Sequence, residues 1–195
     1  MTQSPPDRPR SVQTVRGLLL SLGVLVLLVL MVAGLAGQCS LRPGGPDTRG
    51  AMVPTVDAEA ELRRLARAVA FPVRVPQLPA QWRATSADVD RLGPAPDSPT
   101  AVWVGWLPSE GTYLRLSQSS AAPDELVAFE TGIRSTATGV VRVQDEDWAI
   151  YPGVHGERVW VTDLGAVRIL ITGSAGEPEF RTLATATLTA PRAPG

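Results

Sequence analysis

The sequence predicts an α+β protein: a curved antiparallel sheet of six or seven strands with helices on both faces, an α/β/α sandwich, preceded by one transmembrane helix. Three observations carry this reading. Residues 17–37 form an uncharged apolar run. After residue 55 the apolar periodicity reads helix, strands, helix, strands, helix, and the short connections between strands suit antiparallel hairpins rather than crossover units. Residues 100–107 are apolar on both strand faces, which predicts a central strand with a layer on each side.

The run at 17–37 is 21 residues long. At 1.5 Å per residue such a helix spans about 31 Å, close to a hydrocarbon core of roughly 30 Å. Arg8, Arg10 and Arg16 precede it with only Asp7, whereas Arg42 and Arg49 follow it with Asp47. The bias predicts a cytoplasmic tail at 1–16 and an extracytoplasmic remainder. Three fates compete: a retained anchor, a signal peptide cleaved near Ala33 to Gly37, or a lipidated Cys39. The stretch Leu35-Ala36-Gly37-Gln38-Cys39 resembles a bacterial lipobox, but Gln38 stands where a small residue belongs. The run is also longer than a secretory apolar region of about 7–15 residues, which favours the retained anchor. Residues 38–54, with Pro43, Gly44, Gly45, Pro46, Gly50 and Pro54, read as a flexible linker.

The remaining elements belong to one domain at 55–190. Asp57 is placed to cap a helix reaching residue 70, with Glu59 and Glu61 in its first turns and Leu62, Leu65, Ala66 and Val69 as its apolar stripe. The prolines of 71–76 suggest an extended edge segment. Strands are expected at 82–89, 100–107 and 112–118, with a turn at 108–111. A helix at 123–131 ends at Gly132, and Leu126 and Phe129 are its expected core residues. Strands at 139–143, 148–151, 158–162 and 166–172 then form a meander. The last helix, 178–188, buries Phe180, Leu183, Ala184 and Thr187, with Ser174 and Glu177 as a capping box. Residues 191–195 read as a loose tail. The outline is similar to the small sandwiches of the Mog1/PsbP type, a likeness of architecture that carries little function.

Composition narrows the chemistry. Eighteen Arg and no Lys stand against 19 Asp and Glu, a net charge of -1, which argues against a nucleic-acid binder. One Cys and one His argue against an internal disulfide, a Cys-rich zinc site and a multi-His metal centre. No cofactor and no metal is expected. His155 lies in a Gly-flanked turn without a Gly-x-Ser-x-Gly elbow, so an exposed turn residue is the preferred reading. The Asp145-Glu146-Asp147 run lacks the spacing of a calcium loop and reads as a solvated turn. Gly173-Ser174-Ala175-Gly176 lacks the Lys and spacing of a phosphate loop and reads as a helix cap. Arg63, Arg64 and Arg67 make a solvated helix face, or one resting on anionic headgroups.

The stretch from Val102 to Ser119, VWVGWLPSEGTYLRLSQS, is distinctive. With Phe71-Pro72-Val73 leading through Leu78-Pro79 to Trp82, and Gly139 to Val143 leading to Trp148 and Tyr151, it resembles the actinobacterial domain of unknown function 4245 family. The resemblance covers most of the chain after Asp57. It implies an N-terminal membrane segment, a short tether, one such domain and a place in the cell envelope. It implies no established activity.

Trp103 and Trp106 fall on opposite sheet faces by parity, so core packing is expected for both. Trp82, Trp148 and Trp160 are expected to line a groove for a sugar or lipid, bordered by Tyr113 and Arg115. The function read from these features is a non-enzymatic, membrane-anchored module. It meets the lipid bilayer through residues 17–37 and an envelope protein, lipid or glycan through its domain. A hydrolase or transferase working through unidentified carboxylates is the alternative.

Overall fold

The computed structural model describes residues 17, 20, 22–28, 55–109 and 111–193. They fall in two compact units, Met1–Ala51 and Met52–Gly195. In the first, residues 17, 20 and 22–28 are helical. Among the described residues no helix is long and apolar enough to cross a membrane. The rest of the apolar run and the linker at 38–54 lie outside the described residues.

The second unit is α+β. Helix α1 (Ala58–Ala66) starts where Asp57 accepts a hydrogen bond from the Ala60 N–H at 3.0 Å. It stops four residues short of the expected end, because the Arg67 N–H bonds back to Arg64 and tightens the last turn. Strands β1 (Val73–Arg74), β2 (Arg83–Arg91), β3 (Thr100–Leu107) and β4 (Leu114–Ser119) follow. Helix α2 (Pro123–Thr131) has proline in its first turn and ends on Gly132, whose φ of 72° is the left-handed cap that glycine adopts freely. Strands β5 (Gly139–Val143), β6 (Glu146–Pro152), β7 (Arg158–Asp163) and β8 (Arg168–Gly173) lead into α3 (Glu177–Thr189) and β9 (Arg192–Ala193).

Seven strands form one antiparallel sheet in the order β2-β3-β4-β8-β7-β6-β5. One face packs α1 and α3 over Val102, Val104, Trp106, Leu114, Leu116, Trp148, Trp160, Ile169 and Ile171. The other packs α2, through Leu126 and Val127, over Ala101, Val159, Val161 and Leu170. Helices on both faces follow from strands that are apolar on both sides.

Five expectations are corrected. The central strand is β8, not β3, which lies one strand in from the edge. Phe129 points out to solvent, and Val127 takes its place in the core beside Leu126. The segment at 71–76 is extended and at an edge, as expected. Its strand β1 pairs with β9, so the tail at 191–195 is not loose at Arg192 and Ala193. The Ser174–Glu177 capping box does not form: the cap of α3 is Gly176, with no side-chain bond, and the Ser174 hydroxyl accepts from the Tyr113 N–H instead. The β3–β4 connection is wider than a four-residue turn, since Trp106 pairs with Leu114 and leaves Tyr113 in the loop.

The β1–β9 ribbon is held to the sheet by Gln118, which is fully buried. Its amide accepts from the Arg74 N–H at 2.8 Å and donates to the Arg74 carbonyl at 2.8 Å. The Arg74 guanidinium in turn donates to the Leu188 carbonyl at 2.7 Å, satisfying the end of α3. Burial lowers the affinity of Arg74 for its proton.

Candidate functional site

Helix α2 packs mainly against β7 and β8, with Ala101 of β3 at the margin of that contact. Beside it, the half formed by β2, β3 and β4 carries a polar and aromatic network. Parity and register assemble it. The pairs Asp88↔Trp103 and Asp90↔Ala101 set β2 against β3, and Gly105↔Arg115 and Trp103↔Ser117 set β3 against β4. Asp88, Asp90, Trp103, Arg115 and Ser117 therefore share one face.

Arg115 is the hub. Its guanidinium carbon lies 3.9 Å from the Trp103 ring centroid. The Arg115 Nε is 2.9 Å from Glu130 Oε2, and Nη2 is 3.5 Å from Asp90 Oδ2. The Trp103 indole N–H donates to that same Asp90 oxygen at 2.7 Å. The Ser117 hydroxyl donates to Glu130 Oε1 at 2.6 Å. Stacking on an aromatic face with carboxylates at two of its edges fixes a guanidinium in both position and plane.

Glu130 reaches this site from the end of α2, and its side chain is only 4% exposed against 21% for Arg115 and 43% for Asp90. Burial pushes the Glu130 carboxyl above the usual range; Arg115 and the Ser117 hydroxyl pull it back, and Asp90 adds to the rise. The net displacement is upward, with burial its largest cause.

Tyr113 closes one end. Its ring lies over Gly105, where an added Cβ would sit 2.5 Å from the hydroxyl. The Tyr113 carbonyl accepts from the Ser174 and Ala175 N–H groups at 3.0 and 3.3 Å. Burial raises the Tyr113 hydroxyl above its ordinary value, against a lowering by Arg115. Tyr113 is held in this way by the β8–α3 turn, which has room for it only because residue 173 is glycine, at φ 146°.

The five residues named from sequence divide between two places. Tyr113 and Arg115 are together on this face. Trp148 and Trp160 lie under the other face, fully buried, with ring centroids 6.5 Å apart and Trp160 5.2 Å from Phe180. Core packing, not a groove wall, is their place. Trp82 is half-buried and borders an open cleft of about 450 Å³ shared with Asp57, Pro76, Leu78 and Trp106. Trp106 is buried as expected, whereas Trp103 remains half-exposed under Arg115. His155 sits exposed at φ 54° in the turn between β6 and β7. Asp147 makes an exposed pair with Arg142 at 3.5 Å. Arg63 and Arg64 pair with Glu59 and Glu61 on the solvent face of α1.

Sequence reasoning missed Asp90, Ser117 and Glu130. Strand parity alone was enough to place Ser117 beside Arg115. Glu130 had no such signal, since a carboxylate on a helix is ordinarily assigned to solvent.

No curated protein and no solved structure matches the chain. The family profile described as "Protein of unknown function (DUF4245)" matches residues 10–187. With nearly its whole length matched, the chain belongs to that family.

Proposed function

We propose that the protein is a single-pass, membrane-anchored module of the cell envelope. In this reading its N-terminus is cytoplasmic, and its α+β domain lies outside the membrane and binds an envelope protein, lipid or glycan without chemical turnover. The observation that carries the proposal is the uncharged run at 17–37 beside a Pro- and Gly-rich linker and a separate compact unit. In support, Leu20, Leu22 and the residues 24–28 all carry exposed apolar side chains, which water tolerates poorly and hydrocarbon accepts.

The binding surface proposed is the open half-face around Trp103 and Arg115. The test places a photo-crosslinking amino acid at Asp88, and as a control at Thr185 on α3, in full-length protein in its native membranes. One stoichiometric adduct from position 88 and none from 185 is the expected result. No adduct from position 88 to any protein, lipid or glycan would reject the surface.

A second reading rests on Glu130, a buried carboxyl raised above its usual range that shares Arg115 with Asp90. It makes the domain a hydrolase or transferase. Turnover of an envelope substrate, lost in both Glu130→Gln and Asp90→Asn, would establish it in place of the first.

A further inference from the structure

Glu130 supplies polar bonds from α2 to the β3–β4 side of the sheet, to Arg115 and Ser117. Arg115 has somewhere else to go. Asp90 already lies within 3.5 Å of Nη2, the Trp103 ring supports the guanidinium plane, and the group is partly open to water. We propose that Glu130 is a proton-operated latch on Arg115. Ionised, it holds the guanidinium between sheet and helix; neutral, it releases it toward Asp90, Trp103 and solvent, and the open half-face gains one positive charge.

The balance is simple. One proton moves from water to a Glu130 carboxylate oxygen, and no other bond is made or broken covalently. The neutral carboxyl keeps a hydrogen bond with Ser117, so α2 stays seated while Arg115 loses the nearer of its two charge partners. The charged groups acting on Glu130 are Arg115 from β4 and Asp90 from β2. Tyr113, also beside the site, is raised by burial and stays neutral across this range. On the strands beneath α2, Arg168 is paired with Asp163 at 3.3 Å and donates to the Ser120 carbonyl, at the opposite end of the helix. The burial of Glu130 places the transition above the ordinary glutamate value of about 4.3. The latch stands on the geometry of the folded unit alone and is independent of where that unit is displayed.

The experiment follows the Arg115 Nε–H and Trp103 indole N–H signals by ¹⁵N NMR between pH 4 and pH 8, using full-length protein in micelles. Both signals are expected to shift with a common midpoint above the ordinary glutamate value, and Glu130→Gln is expected to abolish that transition. Two further variants, read on the Arg115 signal, move the midpoint in opposite directions. Ser117→Ala raises it, because it removes a hydrogen bond that favours the ionised form. Asp90→Asn lowers it, because it removes a neighbouring negative charge. A flat Arg115 signal, a transition that survives Glu130→Gln, or midpoints that move together in the last two variants would overturn the latch.

Discussion

Gln118 joins two parts of the domain through one side chain. Both of its amide hydrogen bonds go to the backbone of Arg74, 44 positions earlier. Truncation to alanine would leave a buried N–H and a buried carbonyl without partners, each costing about 1–3 kcal/mol. Gln118→Ala in the unit Met52–Gly195 is therefore expected to lose roughly 2–4 kcal/mol in urea unfolding at neutral pH. A loss below about 0.5 kcal/mol would show that the ribbon does not depend on it. Strand parity makes Gln118 legible as a polar residue on the face of Leu114 and Leu116. Its partner was not legible, because a contact so far along the chain leaves no local pattern. Glu130 gives a pH test of the opposite kind. Its folded-state carboxyl is raised, chiefly by burial, so the folded state binds its proton more tightly than the unfolded chain does. That contribution to stability is complete below the ordinary carboxyl value and is lost as pH rises through the raised one. The stability of Glu130→Gln relative to wild type should accordingly grow from pH 4 to pH 7. A difference that shrinks over this range would contradict the burial argument.

At the scale of elements, boundaries were read more accurately than faces. The bounds of β3, α2 and β5 match the expected ranges, since proline, glycine and turn residues mark them plainly. The buried face of α2 differs from the expected one. Its interface is Leu126, Val127, Glu130 and Thr131, a stripe rotated from the Leu126–Phe129 one because it includes a buried carboxylate. A periodicity argument that sends every charge to solvent cannot find such a stripe. The β8–α3 turn offers a sharper test. Gly173 combines a φ of 146° with a backbone so close that a Cβ would strike the Tyr113 carbonyl. Gly173→Ala must shift β4 or β8, and is expected to cost roughly 2 kcal/mol or more. It should also broaden the Tyr113 resonances, whereas Gly111→Ala, at φ 77° with open space around it, should cost less and leave Tyr113 unchanged. Equal effects at the two glycines would refute the close approach of Gly173 to Tyr113.

For the whole molecule, the alternation of helical and strand periods, read with short connections, yielded the α+β class and the antiparallel sheet. The strand order, with β4 beside β8 at the centre, was not readable, because it depends on a long-range pairing after α2 that no local signal specifies. The β1–β9 ribbon escaped for the same reason, and because the tail's prolines read as loose. Yet the tail covers part of the core: Val73 is fully buried, and the Val75 N–H donates to the Pro191 carbonyl at 3.3 Å. Removing residues 191–195 is expected to destabilise the unit by about 1–3 kcal/mol, read by thermal unfolding. An unchanged midpoint would mean that the ribbon is ornamental.

Display of the domain outside the membrane on a single span can be read by thiol labelling. Cys39 is the only cysteine, so Cys39→Ser leaves a chain into which one thiol is placed at a chosen position. Ala137→Cys lies on the exposed stretch before β5, and Ser4→Cys lies ahead of the apolar run. Intact cells are treated with a membrane-impermeant maleimide. Labelling at position 137 without lysis, and at position 4 only after lysis, is the expected result. Protection of position 137 until the cells are opened would contradict it.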